Sequence, residues 1–131
     1  MSESVADRFR RRHDYEEQEP GTFAVREVEF AATVTVGEQL NLELELPTLD
    51  ATVVGETVAP VVADGWAETF ERRVADVTGV VDPVAGPTVT VDGETVHVRM
   101  KLRTEPGDPA ETIRHAVDFV ETTWIEGIVP G

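Results

Sequence analysis

The chain has 131 residues, 40% of them hydrophobic, and its 26 acidic and 11 basic residues leave a formal net charge of −15. This length and apolar content predict one folded domain, residues 1–131, and exclude an acidic disordered chain. Cysteine is absent, which excludes disulfides, thiol catalysis and thiolate metal sites.

The charge balance indicates adaptation to concentrated salt. Lys101 is the only lysine among the 11 basic residues. In molar salt the Debye length falls to about 3 Å and the repulsion between carboxylates is screened. We therefore expect a salt-adapted protein, with an ordinary acidic protein as the alternative. The net charge also argues against nucleic acid as a partner.

The expected location is the cytoplasm. No apolar run approaches the roughly 18 residues of a membrane span. The charged N-terminus lacks the hydrophobic core of a signal peptide. We therefore expect no membrane partner.

The first predicted element is a short helix over residues 4–15, with Ser4 as its N-cap. Its RFRRRH phrase contains Arg8, Arg10, Arg11 and Arg12. One interpretation is a patch that binds an anion or nucleic acid. We favour the other, in which these cations stabilise the helix C-terminus and are partly neutralised by the acids that follow.

Three strands are predicted next, in TFAVR, VEFAATVTV and QLNLELELP. The third alternates almost ideally, so that the four leucines of 40–46 face the core while Asn41, Glu43 and Glu45 face outward. A loop over 48–56 follows, with a short extended piece at 51–54.

A central helix is predicted over 58–78, and its Gly65-Trp66 step raises a question. A ligand cleft beside the indole is one interpretation. We favour packing, in which Gly65 lets another element approach and Trp66 fills the core, because a stripe at helical spacing is usually core.

The phrase TVTVDGETVHVRMKLR predicts a hairpin with a type I′ turn at Asp92-Gly93. Counting back from this turn pairs Val91 with Glu94, and the next two pairs are Thr90 with Thr95 and Val89 with Val96. The second strand presents a basic row on one face, formed by His97, Arg99, Lys101 and Arg103.

This basic row has two interpretations. It is a docking face for an acidic partner, or it forms a cross-strand charge ladder with Glu43 and Glu45. Opposite charges across strands contribute about 0.2–1 kcal/mol a pair. We favour the ladder, which predicts that the strand of residues 40–46 lies beside the strand of residues 96–103.

The last helix begins at DPAE, with Asp108 as N-cap and Glu111 in the capping box, and Gly127 is its predicted stop. The order helix, three strands, helix, two strands, helix predicts an α+β fold. We expect two layers, an antiparallel five-stranded sheet with helices packed on it.

No recognisable catalytic constellation is present, so we do not expect an enzyme. The serines lie only at positions 2 and 4, and neither a phosphate loop nor a dinucleotide fingerprint occurs. Glu111 and His115 are one helical turn apart, but no second pair completes a metal site. We therefore assign no catalytic, metal or cofactor residue.

Several phrases carry a resemblance to a known family: HDYEE, PTLDA, VADGWAETFERRV and VETTWIEGIVPG. With them the chain resembles a family of small haloarchaeal proteins of unknown function, which implies salt adaptation and no particular activity. The order of elements also resembles the fold of type III secretion chaperones. That second resemblance implies a module that dimerises and binds extended peptide, although fold does not transfer function.

These observations favour a cytoplasmic binding module, with a chaperone-like homodimer that acts on a protein partner as the leading form. The alternative is a nucleic-acid- or nucleotide-associated factor that uses the arginine-rich helix or the basic row. An enzyme built on carboxylates is the third hypothesis.

Overall fold

A computed structural model describes residues 4–53 and 58–128. The helices are α1 Val5–Arg10, α2 Leu49–Thr52, α3 Pro60–Val74 and α4 Pro109–Ile128, and a 3₁₀ turn, Ala75–Gly79, follows α3. The strands are β1 Tyr15–Glu19, β2 Thr22–Val25, β3 Ala31–Val36, β4 Gln39–Pro47, β5 Pro83–Asp92 and β6 Thr95–Arg103. They form one antiparallel sheet in the order β1-β2-β3-β4-β6-β5.

The α+β class with an antiparallel sheet is confirmed, but the number of strands is wrong, since the sheet has six. The strand that the sequence did not predict is β1, whose YEEQE sequence has only Tyr15 buried. The first helix accordingly ends at Arg10 instead of near residue 15. Tyr15 is fixed by a 2.6 Å hydrogen bond that its hydroxyl donates to the carbonyl of Ala110 in α4. A long-range contact of this kind leaves no periodic signal in the sequence.

Two further element boundaries differ from the prediction. The segment after β4 contains the short helix α2, capped by the Thr48 hydroxyl, where a loop was expected. Residues 54–57 of that loop lie outside the described residues. Asp108 accepts from the backbone N–H of Ala110 at 3.0 Å, as an N-cap should. However, α4 continues through Gly127 to Ile128 rather than stopping at the glycine.

The core lies between one face of the sheet and the helices. Alternate residues of β4 and β6 are buried and their neighbours are more exposed. Helix α4 contacts β4, α1 and α3. Its inward stripe is completely buried and comprises Ala110, Ile113, Ala116, Val117 and Val120. The helices therefore cover one face and leave the other face of the sheet open. Within residues 4–53 and 58–128, no helix has the length and apolar character needed to cross a bilayer.

The predicted neighbours β4 and β6 are confirmed as adjacent antiparallel strands. The register of the β5–β6 hairpin is shifted by two residues from the prediction, since Asp92 pairs with Thr95 and Val91 with Val96. Gly93 (φ +61°) is therefore the first central residue of the turn, and Glu94 has no positive φ. This pattern matches type II′ rather than type I′. A two-residue slip keeps every side chain on its predicted face, so the apolar pattern could not separate the registers.

The Gly65-Trp66 step is only partly explained by packing. Trp66 is half-buried and stacks on Phe70 at 5.4 Å between ring centroids. The reason expected for Gly65 is wrong, because a Cβ there would meet no atom of the described chain within 4 Å. The close approach occurs at Gly127, where a Cβ would lie 3.4 Å from Trp66 Nε1.

Candidate functional site

A groove of about 370 Å³ crosses the open face of the sheet. Its floor is formed by outward-facing side chains of β3, β4 and β6, and one wall by the irregular part of β5. The register of the pairing between β5 and β6 shifts between Ala85 and Thr88. At Gly86 (φ +85°) a Cβ would lie 2.7 Å from the carbonyl oxygen of Arg99, so only glycine fits there. The polar lining comprises Thr33, Thr35, Asn41, Glu43, Thr88, Arg99 and Lys101.

The middle of the groove is a cross-strand charge ladder. Thr33, Glu43 and Arg99 are successive partners across β3, β4 and β6. Arg99 Nη2 donates to Glu43 Oε1 at 3.3 Å. The ladder prediction is confirmed here, and this exposed pair contributes little stability, about 0–1 kcal/mol.

One row further along, His97 faces two carboxylates. His97 is the register partner of Glu45 and lies diagonally from Glu43. Its Nδ1 atom lies 3.4 Å from Glu43 Oε1 and 3.9 Å from Glu45 Oε1. That nitrogen is buried and has no hydrogen-bond partner in the described part of the chain. The imidazole therefore contacts two acidic side chains without a geometric hydrogen bond.

On the other side of the ladder, both cross-strand partners of Lys101, Asn41 and Ala85, are neutral. Thr35 pairs with Asn41, and Asn41 pairs with Lys101. Lys101 is exposed and makes no ion pair with any residue in 4–53 or 58–128. A hydroxyl, an amide and an ammonium group thus adjoin one another across three strands, where together they can donate to an anion.

The fourth basic residue of the row lies at the end of β6, outside the groove lining. Arg103 Nη1 contacts Asp82 Oδ2 at 2.7 Å. Three of the four predicted partner-binding residues, His97, Arg99 and Arg103, therefore already face carboxylates of this chain. Lys101 is the exception.

Of the predicted anion-binding arginines, Arg10 and Arg12 contact carboxylates within the described part of the chain. Arg10 contacts Asp7 at 2.7 Å and Glu17 at 2.9 Å. Its hydrogen bond to the Glu17 carboxylate lowers the pKa of that group, and the Gly21 N–H adds to the effect. This arrangement agrees with the structural interpretation of the arginine-rich helix.

Arg12 is held by a second acidic set. It contacts Asp14 and Glu111, each at 2.8 Å. Its hydrogen bond to Asp14 holds the pKa of that buried carboxyl below the usual range, with a smaller contribution from the charge of Arg114. Arg8 and Arg11 are exposed and line a shallow cavity with Arg12, but Asp108 also lines it.

The same contacts bear on the Glu111–His115 pair. Glu111 is engaged by Arg12, so the carboxylate that could have joined His115 around a metal is already paired. His115 is exposed and lines a shallow depression that also includes Asp118 and Phe119.

A family model described as a family of unknown function, DUF5813, matches residues 10–131. The chain belongs to the DUF5813 family. The match covers nearly the whole chain, so the expected membership of a family of unknown function is confirmed. Searches of curated proteins and of solved structures returned no match. Membership of DUF5813 therefore supplies no activity, and function must be argued from the site itself.

Sequence reasoning placed the charged residues and Asn41 on this face but did not name the two threonines or assign Asn41 a role in binding. Thr33, Thr35 and Asn41 lie at outward positions of the two alternating strands. Their alternation with buried valines and leucines was the available signal. The β5 wall was not predictable, because it depends on the irregular pairing between Ala85 and Thr88.

Proposed function

We propose that this protein is a binding module whose open sheet face receives an acidic segment of a protein partner at Lys101. The observation that carries the proposal is the absence of an ion pair at Lys101 among the described residues, in a chain with 26 acidic residues and one lysine. The other three members of the basic row face carboxylates of the chain itself.

The neighbours of Lys101 suit a carboxylate ligand. Asn41 and Thr35 add neutral donors in the same cross-strand row. Hydrogen bonds to charged groups contribute about 1.5–3 kcal/mol each when well formed. Concentrated salt screens the long-range attraction, so short-range contacts of this kind must supply the affinity there.

The shape of the site favours a polypeptide over a small molecule. The groove lies on an open sheet face, whereas small-molecule sites bury 70–90% of their ligand. The net charge of −15 opposes nucleic acid, which would bring many phosphates to the surface. An acidic peptide needs only one or two of its carboxylates to reach the Lys101 row.

We further propose that the protein is salt-adapted and cytoplasmic. A second copy of the chain is one partner that could supply the acidic segment. Support comes from the 26 acidic residues, which would supply the carboxylate. If the groove of such a homodimer also binds extended segments of other proteins, the protein is chaperone-like.

The test is a titration of the ¹⁵N-labelled protein with an oligoglutamate peptide in about 1 M KCl, where nonspecific charge effects are screened. We expect amide shift changes concentrated at Asn41 and Lys101. Lys101→Gln should weaken binding about two- to fivefold, since an exposed charge contact contributes up to about 1 kcal/mol. Arg72→Gln is the matched control because it removes one exposed positive charge on α3, and it should leave affinity unchanged.

Equal affinity in the wild type and in Lys101→Gln would overturn the proposal. Tighter binding of a single-stranded oligonucleotide than of oligoglutamate would also overturn it, and would favour the nucleic-acid alternative. Self-association that weakens in Lys101→Gln but not in Arg72→Gln would identify a second copy as the partner.

A further inference from the structure

We propose that His97, Glu43 and Glu45 form a binding site for a divalent cation, with Zn²⁺ as the preferred ion. One ligand atom of each side chain lies within 4.8 Å of the other two. The site adjoins the groove and shares Glu43 with it. It does not include Lys101, so it is independent of the proposed acidic partner.

The distance between His97 and Glu43 fits a pair of metal ligands better than a hydrogen bond. For metal–ligand bonds near 2.1 Å, two ligand atoms of tetrahedral zinc lie about 3.4 Å apart. His97 Nδ1 and Glu43 Oε1 are 3.4 Å apart. Glu45 Oε1 is 3.9 Å from the same nitrogen. The Glu45 side chain is 53% exposed and can close that difference by a small rotation.

The second observation is the state of His97 Nδ1. This atom is shielded from solvent and has no hydrogen-bond partner among the described residues. A buried polar atom without a partner destabilises the fold. Two carboxylates, those of Glu43 and Glu45, lie within 4 Å of this atom. A cation placed between the three groups would satisfy the nitrogen and both carboxylates together.

Arg99 has two opposing effects on this site. It donates to Glu43 Oε1, the same oxygen that lies nearest His97. A carboxylate oxygen has a second lone pair, so this hydrogen bond fixes the orientation of Glu43 as outer partners of metal ligands do. Its positive charge also lowers affinity for a cation, while the net charge of −15 raises it.

The donor set selects the kind of metal. An imidazole nitrogen suits Zn²⁺ and other borderline ions, whereas Ca²⁺ and Mg²⁺ prefer sites built from oxygen alone. Three protein ligands leave a fourth tetrahedral position for water or an incoming ligand, as in open zinc sites. Glu45 is more than half exposed, so that position faces solvent.

The experiment is calorimetric titration with ZnCl₂ in about 1 M KCl, which suppresses diffuse cation binding by surface carboxylates. We expect one Zn²⁺ per chain. His97→Gln and Glu45→Gln should each weaken binding at least about tenfold. Loss of a residue that only hydrogen-bonds to a metal ligand already lowers metal affinity by about that factor, and these two residues are ligands themselves. His115→Gln removes an exposed histidine on α4 and should leave affinity unchanged.

Cobalt provides a readout of geometry. Co²⁺ added to the wild type should give the intense visible absorption of a tetrahedral ion, and excess Zn²⁺ should remove it. The ¹⁵N signal of His97 Nδ1 should shift on zinc binding. Thermal melts without zinc check that each variant is folded. If His97→Gln does not fold, Glu45→Gln is the variant that tests the site.

Equal zinc affinity in the wild type and in the folded variants would overturn the site and identify binding to surface carboxylates in general. No zinc binding by the folded wild type would leave only a contact between His97 and its glutamates, and would also overturn it. Lys101→Gln should bind zinc normally, so failure of the acidic-partner proposal is distinguishable from failure of the metal site.

Discussion

The indole Nε1 of Trp124 donates a 2.9 Å hydrogen bond to the carbonyl oxygen of Pro47. This bond joins the last turns of α4 to the end of β4. Trp124 is 9% exposed, and its ring meets Phe30 edge to face at 4.6 Å. Trp66 has no equivalent anchor, since its Nε1 is buried without a partner among the described residues.

The two tryptophans should therefore differ in their contribution to stability. We expect Trp124→Ala to lower the free energy of unfolding by about 3–5 kcal/mol, because it removes a large buried ring. Trp66→Ala should lower the free energy of unfolding by a clearly smaller amount than Trp124→Ala. Chemical denaturation in molar KCl measures both, and Trp124→Phe, which removes the N–H donor and part of the ring, should cost more than the hydrogen bond alone, about 1 kcal/mol. Equal losses at the two positions would contradict this ranking.

Gly65 offers a stabilising substitution. It lies within α3, and a Cβ there would meet no atom of the described chain within 4 Å. Gly65→Ala should raise the free energy of unfolding by about 0.5–1 kcal/mol, since alanine restricts the unfolded chain and favours helix. Gly86→Ala is the contrasting variant, and its clash with the Arg99 carbonyl should destabilise the fold. A destabilised Gly65→Ala variant would indicate that Gly65 has a role beyond its helix.

Asp14 should make stability depend on acid pH. Arg12 holds the pKa of Asp14 low in the folded state, so the unfolded state binds more protons near its own pKa of about 3.9. The carboxylate therefore contributes stability that is fully present above that pH and is lost as pH falls towards the lowered folded value. We expect wild type to exceed Asp14→Asn by about 1–3 kcal/mol at neutral pH, with the difference shrinking below about pH 4.

Denaturation of both proteins from about pH 7 to pH 3 tests this, because pH effects from the other carboxylates are common to the pair. A difference between the two proteins that stays constant across that range would mean that Asp14 is not stabilised as a carboxylate by Arg12.

Salt should stabilise the native state. The net charge of −15 is concentrated by folding, and the Debye length falls from about 30 Å at 0.01 M to about 3 Å at 1 M. The thermal midpoint should rise steeply up to about 0.5 M KCl and more slowly beyond, with NaCl giving nearly the same curve if screening dominates. A midpoint that is the same from about 10 mM to 2 M would show that the acidity serves another purpose.

The local pattern of the sequence was enough to determine β4, β6 and their charge ladder. Leucine and charge alternate in β4 with a period of two, which identifies both the strand and its buried face. Complementary charges then identified β6 as its neighbour, and the Glu43–Arg99 contact confirms that inference. The Ser4 cap and the Asp108 start of α4 followed from local chemistry in the same way.

Contacts between distant segments decided the rest. Strand β1 pairs with β2, but only Tyr15 of its YEEQE sequence is buried, so no alternation marked it as a strand. The hairpin register was ambiguous because a slip of two residues preserves every buried face. The approach of His97 to Glu43 and Glu45 depends on the register between β4 and β6. A sequence pattern specifies which face a side chain occupies, but only tertiary pairing sets which side chains on that face lie within a few ångströms of one another.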